Sequence, residues 1–423
     1  MDTLIYHIDV NSAFLSWEAK NRYNIHKKRL NDDGYHSESY QDIRTIPAVI
    51  GGDEEMRHGI VLAKSDSAKK YGIVTGEPLA DARKKCPGIL VVPPNFDIYA
   101  QNSKSFIELL KKYAPYVEQF SIDEAFCDMT GTQKLYGDLT DFAYTLKDII
   151  KNELGFTVNI GISVNKLLAK MASDFKKPDM VHTLFPDEIK DKLWPLPVRN
   201  LFFVGRQTAL KLSDLGIHTI GDLASMDKNL LIYHFKKHGE LIWNYANGID
   251  TDSIIKKDNE TKSYGNSQTL AFDVTDERTA KKFLLSLCES VGARIRADKS
   301  YVSTITVNIT DYEFNNMSHQ MSLPSPTNVT ERIYDCACTL FEQCWNHSPI
   351  RLIGVSAGKA TNTGFIQYDM FDSEKYEKLS KLNAAIDSIR NKYGNEAVTR
   401  ASLARNALPD NDAFKKSKHI KNI

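Results

Sequence analysis

The chain has 423 residues, with 54 Lys and Arg balanced by 54 Asp and Glu, 42% apolar and 26% charged. That length exceeds one ordinary core and predicts about two to four domains, while the composition is globular and excludes a disordered or fibrous chain. No run of about eighteen apolar residues and no basic n-region ahead of an apolar stretch occurs, so we expect no membrane span, no secretory leader and a cytoplasmic location.

The six cysteines form no matched pair of CxxC motifs, so core thiols are expected rather than a zinc site or a disulfide framework. With zero net charge, any footprint for a polyanion has to be local. Between Arg57 and Lys85 seven basic residues face three acids, and the tail "FKKSKHIKN" is basic; a solvated face is the plain reading of each.

Residues 3 to 10 predict a strand with Leu4, Tyr6, Ile8 and Val10 on one face and Ile5, His7 and Asp9 on the other. A helix follows from about Ser12, then a polar, basic stretch with an "IGGD" turn at 50–53. Residues 115 to 130 predict a hairpin carrying "QFSIDEAFCDMTG", which sets two adjacent carboxylates, Asp123 and Glu124, among apolar neighbours. Successive side chains on a strand point to opposite faces, so these two aim at one object only where the backbone turns. Ionised carboxylates among apolar residues need a partner, and a cation is the expected one. Thr140 is placed to cap a helix that runs to Leu154 and ends at Gly155; the strand "FTVNIGIS" and a helix from Asn165 to about Phe175 follow. Strand, helix, hairpin, helix, strand, helix matches a split βαβ or ferredoxin-like sheet, in which the end of the first strand lies beside the hairpin tip. Asp9 then joins Asp123 and Glu124.

Residues 186–248 read as all-helical, with the turns "FVGRQ" and "LGIHTIGDL" between short helices. A glycine loop before a helix is either a phosphate seat or a plain helical turn, and both readings stay open here. After a polar linker, a strand near Thr269 to Phe272, a helix from about Asp276 to Ala297, the strand "YVSTITVNITDY", a break at Pro324 and Pro326, a helix to Trp345 and the strand "RLIGVSA" predict a second α+β domain. Residues beyond about Gly358 are expected to be a mostly exposed extension, with a helix that puts Leu382, Ala385, Ile386 and Ile389 on one face.

Three carboxylates from two strands suit a pair of Mg²⁺ ions, which take oxygen ligands and complete their shells with water and substrate phosphates. Two such ions about 3.5–4 Å apart stabilise the entering and leaving oxygens of a displacement at phosphorus. Phosphoryl or nucleotidyl transfer is the chemistry so indicated.

Together, "HIDVNSAF", "FSIDEAF", "GISVNKLLAKMASDFKKPD" and "LPVRNLFFVG" resemble the Y-family translesion DNA polymerases of the DinB and UmuC lineage, over roughly the first 360 residues. The resemblance implies an α+β, multidomain right-hand polymerase: a ferredoxin-like palm at 1–22 and 86–185, small fingers at 23–85, a helical thumb at 186–248, a linker at 249–262 and an α+β little finger at 263–360. It implies template-directed, low-fidelity addition of dNTPs to a primer on a DNA template, with Asp9, Asp123 and Glu124 catalytic. By that resemblance Asp9 and Asp123 bridge two Mg²⁺ ions, the Val10 carbonyl is a further ligand, and Glu124 holds the metal that activates the primer 3′-hydroxyl. Phe14 matches the steric gate against a ribose 2′-hydroxyl, and Lys69 and Lys177 fall on triphosphate-binding positions. Asn11, Ala63 and Asp66 depart from the commoner pattern, where Asp, Thr and Tyr are usual, and imply a differently built triphosphate grip.

For DNA, the resemblance points to Gly205 and Arg206 in the thumb and to Ser263, Gly265, Ser267 and Thr269 in the strand opening the little finger. From Ser263 to Gly358 eight Lys and Arg stand against ten Asp and Glu, so grip there has to use backbone amides and single arginines such as Arg294, Arg296 and Arg332. Within the extension at 361–423, "IQYDMFD" places Gln367, Met370 and Phe371 at the spacing of the bacterial sliding-clamp-binding peptide. A non-catalytic DNA- and clamp-binding adaptor of the same fold is the alternative, with Ala63 and Asp66 in its favour; a nucleotidyl cyclase is a third, for which the later regions have no use.

Overall fold

Strand β1 (Ile5–Val10) is the middle strand of a five-stranded sheet, and helix α1 (Ala13–Asp32) follows it. β2 (Ala48–Gly51), β3 (Val61–Lys64), α2 (Asp66–Lys69), α3 (Leu79–Lys85) and β4 (Leu90–Val92) come next, the three strands forming a small sheet in the order β3-β2-β4. This sheet was not expected from the sequence, because three- and four-residue strands leave almost no periodicity to read; α4 (Phe96–Leu110) was missed although Tyr99, Ser103, Phe106 and Leu110 recur at helical spacing behind the cap Asn95. The large sheet is completed by β5 (Tyr116–Gln119), β6 (Glu124–Asp128), α5 (Gln133–Tyr136), α6 (Leu139–Leu154), β7 (Val158–Ser163), α7 (Lys166–Ser173) and β8 (Val181–Thr183). Its order is β5-β6-β1-β7-β8, with β1 antiparallel to both neighbours. That is the expected split βαβ arrangement with one strand added. Asp138, not Thr140, caps α6: its carboxylate accepts from the amides of Thr140 and Asp141, and Gly155 ends the helix in the left-handed conformation.

One face of this sheet is apolar. Tyr6, Ile8, Val10, Cys127, Ile160 and Ile162 pack there with Trp17 of α1, Phe106 of α4 and Leu146 of α6. The other face carries His7, Asp9, Asn159 and Ser163, all buried. Helix α7 lies on it, and a Cβ at Gly161 would stand 1.9 Å from the Ala169 carbonyl oxygen and 2.4 Å from the Ser173 nitrogen. Glycine there is what lets the helix sit on the strand. The far side of α7, with Leu167, Leu168 and Met171, enters the core of a helical region built from α8 (Arg206–Asp214), α9 (Ile220–Ser225), α10 (Lys228–Phe235) and α11 (Lys237–Ala246).

The structure describes residues 3–32, 40–250, 261–362 and 373–403. By packing, the chain divides into one unit of Met1–Gly52 with Ile60–Lys257 and another of Asp53–Gly59 with Asp258–Asn422. The second unit contains β9 (Ser263–Val274), α12 (Glu277–Ala297), β10 (Val302–Asp311), β11 (Asn316–Thr327), α13 (Thr330–Cys344) and β12 (Ile350–Gly358). Its strands form a four-stranded sheet in the order β11-β10-β12-β9, with α12 and α13 on its apolar face. β11 runs through Pro324 and Pro326, but its ladder with β10 breaks where expected: pairing jumps from Ser322 opposite Thr304 to Thr327 opposite Val302. It is an edge strand, where a residue without an N–H costs no ladder hydrogen bond on the open side.

The extension is not merely exposed. Helix α14 (Ser373–Tyr393) docks on α12 and α13 through Tyr376 and polar residues: Tyr376 and Asn383 are buried and Asp387 pairs with Arg296 at 2.6 Å, while Leu382 and Ile389 face outward. The apolar stripe seen in the sequence is thus not the docking face. Arg390 and Arg400 both reach Glu289, at 3.1 and 2.7 Å, and Arg400 also pairs with Glu331.

Candidate active site

Register brings the acids together. Asp9 is the cross-strand partner of Glu124, and the Val10 amide donates to the Asp123 carbonyl at 3.0 Å, so the end of β1 is tied to the hairpin turn. In that turn Ser121 Oγ donates to Asp123 Oδ1 at 2.7 Å and accepts from the Asp123 amide at 3.3 Å, fixing this carboxylate's direction. Asp123 stands in the turn and Glu124 begins the strand.

A cleft of about 400 Å³ opens beside them. Asp9, Val10, Phe14, Lys69, Asp123 and Lys177 all line it, and so do Asn11, Ala63 and Asp66. Glu124 does not. Its Oε1 receives Lys170 Nζ at 2.7 Å and lies 4.0 Å from His7 Nε2. The two adjacent acids therefore part company in this structure, one facing the cleft and one facing α7.

Phe14 lies flat on Tyr99, with centroids 4.4 Å apart and planes 8° from parallel, and Phe96 meets its edge. A ring so pinned presents a fixed edge to the cleft. Lys177 Nζ pairs with Asp9 Oδ2 and, at 2.8 Å, with Asp174. Asn11 donates from Nδ2 to Asn159 Oδ1 at 3.1 Å and accepts the Asp179 amide at 2.9 Å. An amide both gives and receives here, which a carboxylate could not do, and this accounts for asparagine at the position. Arg44, held by Asp42 at 2.6 Å, and Lys64 also line the cleft. No motif in the sequence pointed to either of them.

Burial pushes Asp9 up to about 6, against the pull of Lys177, and the nearby Glu124 and Asp123 add to the rise. Burial alone would lower Lys177, but Asp9 and Asp174 outweigh it and hold the ammonium above the ordinary lysine range. His7 is driven well below the usual histidine value by burial, then by Lys170 and Lys177; it is neutral, with Nδ1 2.8 Å from Ser173 Oγ. Among the described residues no three His, Cys, Asp or Glu side chains are gathered closely enough to enclose a metal ion, and a lysine holds each of Asp9 and Glu124. The donor chemistry nevertheless fits a hard cation: oxygen donors only, and at Asp9 a carboxylate that burial, with Glu124 and Asp123 close by, makes costly to keep ionised.

The residues expected to meet DNA are placed in both units. Gly205 is the exposed N-cap of α8, without a side-chain cap, and Arg206 is that helix's first residue. Ser263, Gly265, Ser267 and Thr269 alternate along β9 on the face away from the helices. Arg294 donates to the Gly265 carbonyl at 3.0 Å. Arg296 is committed to Asp387, Thr330 and Asn383, and Arg332 lies over the Tyr376 ring, so both arginines face α14. Gln367, Met370 and Phe371 lie outside the described residues.

Two family models match the chain, the impB/mucB/samB family at residues 8–174 and its C-terminal domain at 261–370. A DNA polymerase IV of Clostridium acetobutylicum is 47% identical over 95% of this chain and 98% of that protein, and one of Acetivibrio thermocellus is 36% identical over 95% and 98%. Among solved structures, a Y-family DNA polymerase chimera, Dbh-Dpo4(243-245)-Dbh, superposes with a TM-score of 0.69 at 22% identity, covering 86% of this chain and all of that one.

Proposed function

The chain belongs to the impB/mucB/samB family and has the fold of the Y-family DNA polymerases, and from this premise we propose that it is a low-fidelity translesion DNA polymerase adding dNTPs to a primer 3′-hydroxyl. One observation carries the reading furthest: the buried Asp9 carboxylate, the half-buried Asp123 carboxylate, an aromatic ring and two lysines from separated stretches of chain line a single cleft. Asp9, Asp123, Glu124 and the Val10 carbonyl would hold two divalent cations, Mg²⁺ in our reading, which supply charge for the entering and leaving oxygens at phosphorus.

The chain's own residues supply the rest. Lys69 and Lys177, with Arg44 beside them, offer positive charge to a triphosphate in a partly desolvated cleft, where each is worth more than in water. Lys177 has to leave Asp9 to do so. The Phe14 ring, backed by Tyr99, cannot retreat from a 2′-hydroxyl. Residues 1–22 and 86–185 would be the palm, 23–85 the fingers, 186–248 the thumb and 263–360 the little finger. The open amides at Gly205 and Arg206 suit a phosphate, and the outward face of β9 suits template phosphates. Arg296 and Arg332 serve the C-terminal helix rather than DNA. Gln367, Met370 and Phe371 would bind a bacterial sliding clamp, and a cytoplasmic location completes the reading; no described helix is long and apolar enough to cross a membrane.

Primer extension with Mg²⁺ tests this. Wild type extends with dNTPs, Glu124→Ala does not while still binding DNA, and Phe14→Ala begins to accept rNTPs. A wild type that binds primed template tightly and adds nothing would establish the non-catalytic adaptor, which the intact acids and the polymerase relatives disfavour.

A further inference from the structure

We propose that Lys170 is a positioning residue for Glu124, turning that carboxylate so that one oxygen is held and the other is left for a metal; the inference rests on the polymerase reading above. Lys170 is only 8% exposed. Its Nζ lies 2.7 Å from Glu124 Oε1, 5.0 Å from the Phe120 ring centroid and 5.3 Å from that of Phe202. The two rings meet edge to face 6.1 Å apart. An ammonium stripped of most of its water and set beside two aromatic rings is confined in direction, and its hydrogen bond to Oε1 confines the carboxylate in turn.

Helix α7 gives this geometry its origin. Lys166 and Lys170, one turn apart, pair with Glu118 and Glu124 on the two strands of the hairpin, so the helix clamps the hairpin through two ion pairs. Only the second pair includes an expected metal ligand. Phe202 belongs to the loop just before α8, in the helical region whose core α7 shares. The direction of Glu124 is thereby set jointly by the sheet and the helical region. It is not set by the hairpin alone.

The proposal predicts opposite effects on two measurements. Lys170 also competes electrostatically with any cation at Glu124. Lys170→Met keeps the stem between the rings but removes the charge, so the protein without DNA or dNTP binds Mn²⁺ several-fold more tightly by electron paramagnetic resonance. Its single-turnover rate at saturating metal nevertheless falls at least about ten-fold, because the carboxylate is no longer aimed, while DNA affinity is unchanged. Lys170→Arg restores the rate to within about three-fold, and Lys166→Met, the matched control, leaves both properties at wild-type values. If Lys170→Met does not fold, Lys170→Gln is measured the same way. Unchanged turnover, or slower turnover with weaker or equal Mn²⁺ binding, overturns the proposal. Failure of wild type itself to extend a primer would instead overturn the polymerase reading.

Discussion

The five-stranded sheet of the first unit and the four-stranded sheet of the second each bury an apolar face against helices, and they differ in what the other face carries. On the first, ionisable and amide groups are buried: His7, Asp9 and Asn159, with Lys177 as the counter-charge of Asp9 and the buried Lys170 paired with Glu124. On the second, the open face is lined by hydroxyls, amides and glycine, such as Ser263, Gly265, Ser267, Asn308 and Ser318. Burying charge makes each group expensive and its position definite, which suits chemistry. An uncharged hydrogen-bonding face can meet many phosphates without selecting one, which suits a surface that slides.

The largest effect that sharpens this contrast is catalytic. Asp123→Ala in the cleft is expected to lower the single-turnover rate on the order of 10³-fold, about 4 kcal/mol of transition-state stabilisation. Ser267→Ala on the open face should change it only a few-fold and act on DNA affinity. Comparable losses from both, measured by rapid-quench primer extension, would erase the distinction.

Packing gives the next. Gly161→Ala drives a Cβ into the backbone of α7 and should cost at least the upper end of the ~1–3 kcal/mol of an overpacked core. At Gly265 an added Cβ would be 3.4 Å from the nearest atom, Ser356 Oγ, so Gly265→Ala is expected within about 0.5 kcal/mol of wild type. Thermal unfolding of the two variants compares the covered face with the open one directly.

A third change separates charge used for chemistry from charge used for docking. Arg296→Ala removes the arginine that Asp387, Thr330 and Asn383 share, and should destabilise α14 by about 2 kcal/mol. Turnover on primed template should stay the same, and a matching drop in DNA affinity would return Arg296 to the DNA-binding set.

The smallest effect is one of pH. Burial alone would raise Glu331, but Arg400 and Asn383 hold its carboxyl below the ordinary glutamate value of 4.5. A depressed folded value means stability present above that pH and lost as pH falls through the lower value of the folded state. Protection of α14 amides from hydrogen exchange should therefore weaken on acidification below about 4.5, and Glu331→Gln should remove that dependence.

Local sequence was enough for the faces of β1, the ends of α6 and α7 to within a residue or two, and the neighbourhood of Asp9 and the hairpin acids. These follow from local rules: a period of two, a capping residue, a glycine after a helix, and a topology that leaves few neighbours for a strand. Tertiary structure alone decided which way the acids face. Asp123 and Glu124 are adjacent in the chain, yet one turns to the cleft and the other to Lys170, because α7 reaches the sheet only where Gly161 lets it in. It also decided that α14 docks by Tyr376 and its polar side, against expectation from its apolar stripe, since the partners waiting there are Arg296, Arg332, Glu289 and Glu331. Pairing across 46 residues at Lys170 and Glu124, or 91 at Arg296 and Asp387, has no trace in local periodicity. A buried charge takes whatever counter-charge the fold brings within reach, and only the fold says which one that is.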